Sequence, residues 1–110
     1  MPRIYLAGPI NGCSDADAND WRAEAKRLLP WAEIADPMTR DYRGKEAGAH
    51  AEIVEGDLAD IARCDAVLAA CVRPSWGTAM ELRAAYTMGL PVVGISIGQS
   101  PWLVYHCRSI

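Results

Sequence analysis

The sequence predicts an α/β fold: a parallel sheet of four or five strands between helices, a three-layer sandwich. Strand and helix patterns alternate along all 110 residues. The strands are continuous apolar runs rather than alternating ones, as expected of strands buried on both faces. Each run is closed by glycine or proline. A chain this short supports one domain, residues 1–110.

Arg3-Ile4-Tyr5-Leu6-Ala7 is the first strand, stopped by Gly8-Pro9. The loop Gly8-Pro9-Ile10-Asn11-Gly12, continuing to Asp15, is rich in turn formers and offers backbone groups to a ligand. A helix follows over about 17–29, with Trp21, Ala25, Leu28 and Leu29 as its apolar stripe, and Pro30 ends it. Trp31 to Ala35 reads as a weak strand. Residues 38–48 form the longest loop, polar and aperiodic, and hold Arg40, Arg43 and Lys45. The loop reads either as a lid or as a solvated charged connection.

The second helix covers about 49–63, with Ile53, Leu58 and Ile61 inward. Asp65 to Val72 is the clearest buried strand. A tight turn over 73–77 leads to a third helix over about 78–88, ended by Gly89 in a left-handed cap. Pro91 to Ile97 is another buried strand, and the tail 99–110 holds a short helix with Trp102, Tyr105 and His106.

Eleven basic and 14 acidic residues give a net charge of −3. That argues against nucleic-acid binding, which needs a basic stripe to displace counterions. No apolar stretch approaches the length of a membrane span, and no leader precedes the first strand, so a cytoplasmic protein without a membrane partner is expected. Cys13, Cys64, Cys71 and Cys107 lack the two-residue gap of zinc or redox sites, so free thiols and no metal are expected.

In parallel sheets, ligands bind beyond the carboxyl ends of the strands, where strand order reverses. The loops 8–15, 36–48 and 73–77 therefore matter most. Glu81 stands near the last of them. One reading makes Thr78-x-x-Glu81 a capping box, with Glu81 reaching back to the backbone; the other makes it a working carboxylate. Asp57 lies one turn from both Ile53 and Ile61, either reaching solvent or an arginine at the stripe's edge, or buried for use. Two carboxylates converging on one cleft suit glycosidic chemistry, one attacking the anomeric carbon and one handling the leaving group's proton.

Ser75 and the backbone of Gly77 and Thr78, at a helix N-terminus, suit either an anion or a plain cap. Trp76 suits either base stacking or packing. Tyr5 is core unless its hydroxyl emerges at the strand's end.

These segments resemble the nucleoside 2-deoxyribosyltransferase-like family. The matching pieces are Ile4 to Pro9, Gly56-Asp57-Leu58 through Ile61 to Leu68, and Pro74 to Leu82 continuing to Val93. The resemblance implies a flavodoxin-like (Rossmann-like) sheet and N-glycosidic bond cleavage without a cofactor. It further implies a nucleophile at Glu81, a catalytic aspartate at Asp57 and a substrate-orienting tyrosine at Tyr5. Transferases of the family carry an aspartate six residues before the nucleophile. Ser75 occupies that place here, and is more similar to the deoxynucleoside 5′-monophosphate N-hydrolases, which bind phosphate with a serine.

The resemblance thus implies a nucleotide substrate, with base exchange on free deoxynucleosides as the alternative and a non-catalytic nucleotide sensor as the third reading. Arg43, in the loop whose sequence departs from both activities, is a further candidate for substrate binding. Family members are homodimers or larger, with tail residues such as Tyr105 or His106 completing a neighbour's pocket.

Overall fold

The computed structural model describes residues 1–98 and 100–109; Gln99 and Ile110, at the ends of the predicted tail, lie outside the described residues. The chain runs β1 (Arg3–Ala7), α1 (Asp15–Leu28), β2 (Glu33–Ala35), a 3₁₀ turn (Pro37–Arg40), α2 (His50–Ala62) and β3 (Ala66–Ala70). It continues through α3 (Trp76–Thr87), β4 (Val92–Ile95), α4 (Pro101–His106) and β5 (Arg108–Ser109). All five strands are parallel in the order β2-β1-β3-β4-β5. Strand order reverses between β1 and β3, where Ile4 faces Ala66 and Ala7 faces Ala69. The crevice for a ligand therefore opens beyond Ala7 and Ala70.

Right-handed crossovers set the helix positions. The chain moves one way from β1 to β2 and the other way through β3, β4 and β5, so α1 stands on one face and α2, α3 and α4 on the other. The core lies under the three-helix face, where Tyr5, Ala7, Val67, Ala69 and Val92 meet Ile61, Leu82 and Ala85. The α1 face is more open. Leu28, assigned above to the inner stripe, is 58% exposed and borders a groove of about 480 Å³ with Trp31 and Ile95.

The buried stripe of α1 is instead Ala18, Arg22 and Ala25. These positions are spaced by four and three residues, and the two alanines leave room for a guanidinium. The helix also starts two residues earlier than its apolar pattern suggests, because the Ser14 hydroxyl oxygen accepts the Asp17 N–H at 3.1 Å.

Gly8 marks where β1 must pass close to α1. A Cβ there would sit 2.6 Å from Cζ2 of Trp21 and 3.3 Å from the Ala70 carbonyl oxygen. Gly8→Ala should therefore destabilise the protein by about 1–3 kcal/mol through overpacking. A melting curve should show this as a fall in Tm, and a Tm equal to that of the parent would refute the close approach.

Candidate active site

The crevice is built from the ends of β1 and β3 outward. Along β1, Tyr5 alternates with Ile4 and Leu6 and so points to the three-helix face. It is fully buried, yet its hydroxyl donates to Oε2 of Glu81 at 2.6 Å. Glu81 comes from α3, whose start differs from the expected one. The helix begins at Trp76 inside the predicted turn, with Ser75 as its cap. The Ser75 hydroxyl oxygen accepts the Thr78 N–H at 3.3 Å and the Thr78 hydroxyl at 2.9 Å.

Glu81 therefore lies in the second helical turn, beyond the reach of a capping box, and that reading is overturned. It shares the inward stripe with buried Thr78, Leu82 and Ala85, so its carboxyl is held against the sheet.

Asp57 enters from α2, on the same side as fully buried Ile61. Its Oδ1 accepts from Arg40 at 3.1 Å, and the same guanidinium reaches Asp60 at 2.7 Å. Arg40 is placed by the 3₁₀ turn, which Asp36 caps by accepting the Met38 N–H at 2.9 Å. Asp57 thus faces an arginine and also opens to the cleft, combining the two readings of its sequence position.

The cleft has a volume of about 150 Å³. Gly8, Ile10 and Asn11 form one wall and Arg40, Tyr42 and Arg43 another, while Asp57, Ser75, Gly77 and Glu81 close the base. The Arg43 guanidinium is already engaged, donating to Asp41, to Asp15 and to the Cys13 carbonyl, so it clips the long loop to the start of α1. Pro9 and Gly12 shape the first loop behind its wall, and Trp76 points away, 90% exposed.

His106 does not join the cleft. It contacts Arg83 and the Trp102 carbonyl and lines a separate cavity of about 630 Å³ between α3 and α4. That cavity is larger but mostly apolar, whereas the small cleft sits at the strand-order reversal and gathers the perturbed ionisable groups. Perturbed carboxyls in a cleft are the better mark of a working site.

Burial pushes the Glu81 carboxyl up to about 8; the Asp57 charge adds to this, while the Tyr5 hydrogen bond and the Arg22 charge oppose it. Burial also raises Asp57, against the pull of Arg40. Tyr5 is raised far above its ordinary value, first by burial and then by Glu81, so its phenol remains a donor. Glu81 thus keeps its proton at neutral pH, and the neighbouring Asp57 charge is one of the causes.

Sequence reasoning missed Arg22 and the pairing role of Arg40. Arg22 had a signal in its two alanine neighbours on the stripe. Arg40 had none, being one of three basic residues in an aperiodic loop. Among the described residues, no group of histidine, cysteine, aspartate and glutamate could hold a metal ion, and no helix is long and apolar enough to cross a membrane.

Residues 4–104 match the family described as nucleoside 2-deoxyribosyltransferase. The chain belongs to that family. Family membership makes it an enzyme acting on nucleosides.

Its fold is similar to that of a 2-deoxyribosyltransferase from Bacillus psychrosaccharolyticus (TM-score 0.68, 24% identity, 84% of this chain and 71% of that one). A conserved protein from Enterococcus faecalis V583 is similar at TM-score 0.68 and 27% identity, covering 90% of this chain and 65% of that one. The CMP N-glycosidase BcmB of Clostridium botulinum is similar at TM-score 0.63 and 18% identity, over 98% of this chain and 86% of that one. Comparison with curated protein sequences finds no match.

Proposed function

We propose that this family member hydrolyses the base–sugar bond of a (deoxy)nucleoside 5′-monophosphate. The observation that carries the reading is the 2.6 Å hydrogen bond from Tyr5 to Glu81 inside a cleft that Asp57 also lines. Glu81 holds a proton at neutral pH and first passes it to Asp57. The Glu81 carboxylate then attacks C1′ of the sugar, the C1′–N bond breaks, and the departing base nitrogen takes that proton from Asp57. Water then attacks C1′ of the glycosyl ester and gives its proton back to Asp57. The Glu81 carboxylate and a sugar phosphate leave this step.

The substrate phosphate docks at the start of α3, where the Ser75 hydroxyl, free backbone N–H groups and the positive end of the helix dipole favour an anion. A cleft of about 150 Å³ takes little more than a sugar. Ligand pockets for molecules of nucleotide size run from roughly 300 Å³. The adjoining cavity of about 570 Å³, which shares Ser75 and Thr78 with the cleft, supplies the remaining space.

Incubation with nucleosides and their 5′-monophosphates should release free base mainly from the monophosphates. Ser75→Ala should raise KM for a monophosphate about 10- to 100-fold, the value of one charge-assisted hydrogen bond, and barely change KM for the nucleoside. Equal turnover of both substrate classes, indifferent to Ser75, would remove the phosphate from the reading. The family description itself favours a second reading, transfer of deoxyribose between free bases. Mixing a deoxynucleoside with a second base separates the two, since only transfer yields the exchanged nucleoside.

A further inference from the structure

Arg22 takes no part in the chemistry proposed above, yet it is the most deeply buried charged side chain among the described residues, 1% exposed. One of its terminal nitrogens donates to the Leu6 carbonyl at 3.3 Å and the Gly8 carbonyl at 3.2 Å, the two carbonyls on either side of the end of β1. The other donates to the Ala18 carbonyl at 2.6 Å. Its Nε lies 3.3 Å from Oδ1 of Asp36 without an aligned hydrogen bond, and the guanidinium stacks 4.7 Å above the Trp21 ring. Asp36 in turn caps the turn that carries Arg40.

We propose that Arg22 is a positioning residue: one buried guanidinium ties the loop after β1 to the turn after β2, fixes two walls of the cleft against each other, and sets a permanent positive charge behind the Tyr5–Glu81 pair. The planar fork explains why arginine rather than lysine occupies the place, since a single ammonium cannot serve three carbonyls and a carboxylate in these directions.

Asp36 offsets the Arg22 charge only in part, because the same carboxylate also pairs with Lys26 at 2.7 Å. Glu81 is hydrogen-bonded by Tyr5 from β1 and shares the cleft with Asp57 from α2, which has Arg40 behind it, while Arg22 on the α1 face is within electrostatic reach. Cys13 also lies within electrostatic reach of Arg22. Of these groups, Arg22 and Tyr5 favour the ionised carboxylate of Glu81, and Asp57 opposes it.

The test compares Arg22→Met and Arg22→Lys with the parent. The kinetic arm rests on the Glu81 reading. The titration arm does not, because it follows the Glu81 carboxyl carbon by NMR as pH is raised. Arg22→Met should move that titration up, because a positive charge that favours the carboxylate is lost. Arg22→Lys should leave the titration in place while raising KM about tenfold with kcat changed much less, because the charge stays and the fork is lost.

An unmoved titration in Arg22→Met, or a parental KM in Arg22→Lys, overturns the proposal. If Arg22→Met does not fold, as a loss of helical circular dichroism would show, the lysine variant decides alone. A Glu81→Ala protein that still turns over would defeat the functional reading and leave the titration result standing.

Discussion

Glu81→Gln should lower base release by about three orders of magnitude or more, the loss expected when a covalent nucleophile becomes a neutral amide. The substitution is nearly isosteric, and the Tyr5 hydroxyl can still donate to the amide oxygen, so the fold should survive. The same carboxyl also dictates the pH dependence. The productive pair holds one proton, which passes to the base as it leaves.

Glu81 is pushed up to about 8, so the pair keeps that proton at neutral pH and loses it as pH rises through 8. In the parent, kcat/KM should therefore fall above pH 8, about tenfold per unit. It should also fall at the acidic end, where both carboxyls are protonated. A profile flat from pH 7 to 10 would mean that Glu81 does not belong to the reacting pair. Full activity in Glu81→Gln would mean the same.

Asp36→Ala should produce the largest loss of stability, about 3–5 kcal/mol. Asp36 and Arg22 are 8% and 1% exposed, and removing one member of a buried pair leaves the other charge uncompensated. Loss of the Met38 cap adds to the effect. Against a total stability of roughly 5–15 kcal/mol for a domain of this size, the variant sits near the edge of folding. Asp36→Asn separates the contributions, since its amide oxygen can still cap the turn while the charge is gone. Urea titration should place it close to Asp36→Ala. An asparagine variant as stable as the parent would show that Arg22 does not need the charge.

Much of the architecture was legible because apolar runs and turn residues agreed. β1, β3 and β4 follow from buried strands closed by glycine, proline or polar turns, and their parallel pairing follows from the helices between them. β5 was not legible, for two residues, Arg108–Ser109, carry no periodicity and join the sheet only through pairing with β4. The start of α3 was misplaced because Ser75 and Thr78 are both good caps. Only the backbone chooses Ser75, and that choice moves Glu81 from the first turn to the second.

The place of Glu81 beside Thr78, Leu82 and Ala85 on the inward side of α3 emerges only once the helix start is fixed. The hydrogen bond of Glu81 to Tyr5, 76 positions away, is a tertiary contact that no local pattern encodes. Arg22 and Arg40 were hidden for opposite reasons. A charged residue on a helix is normally read as solvated, and a loop offers no period against which to read a single arginine.

The most direct test is to trap the glycosyl-enzyme. A 2-deoxy-2-fluoro-arabinosyl nucleoside 5′-monophosphate slows the second step by destabilising the oxocarbenium-like transition state, and acid quenching followed by peptide mass spectrometry locates the sugar. A fluorosugar phosphate esterified to Glu81, formed as free base appears, is the predicted result. Stoichiometric attachment to another residue, or base release by a fully active Glu81→Ala protein, would contradict the central claim.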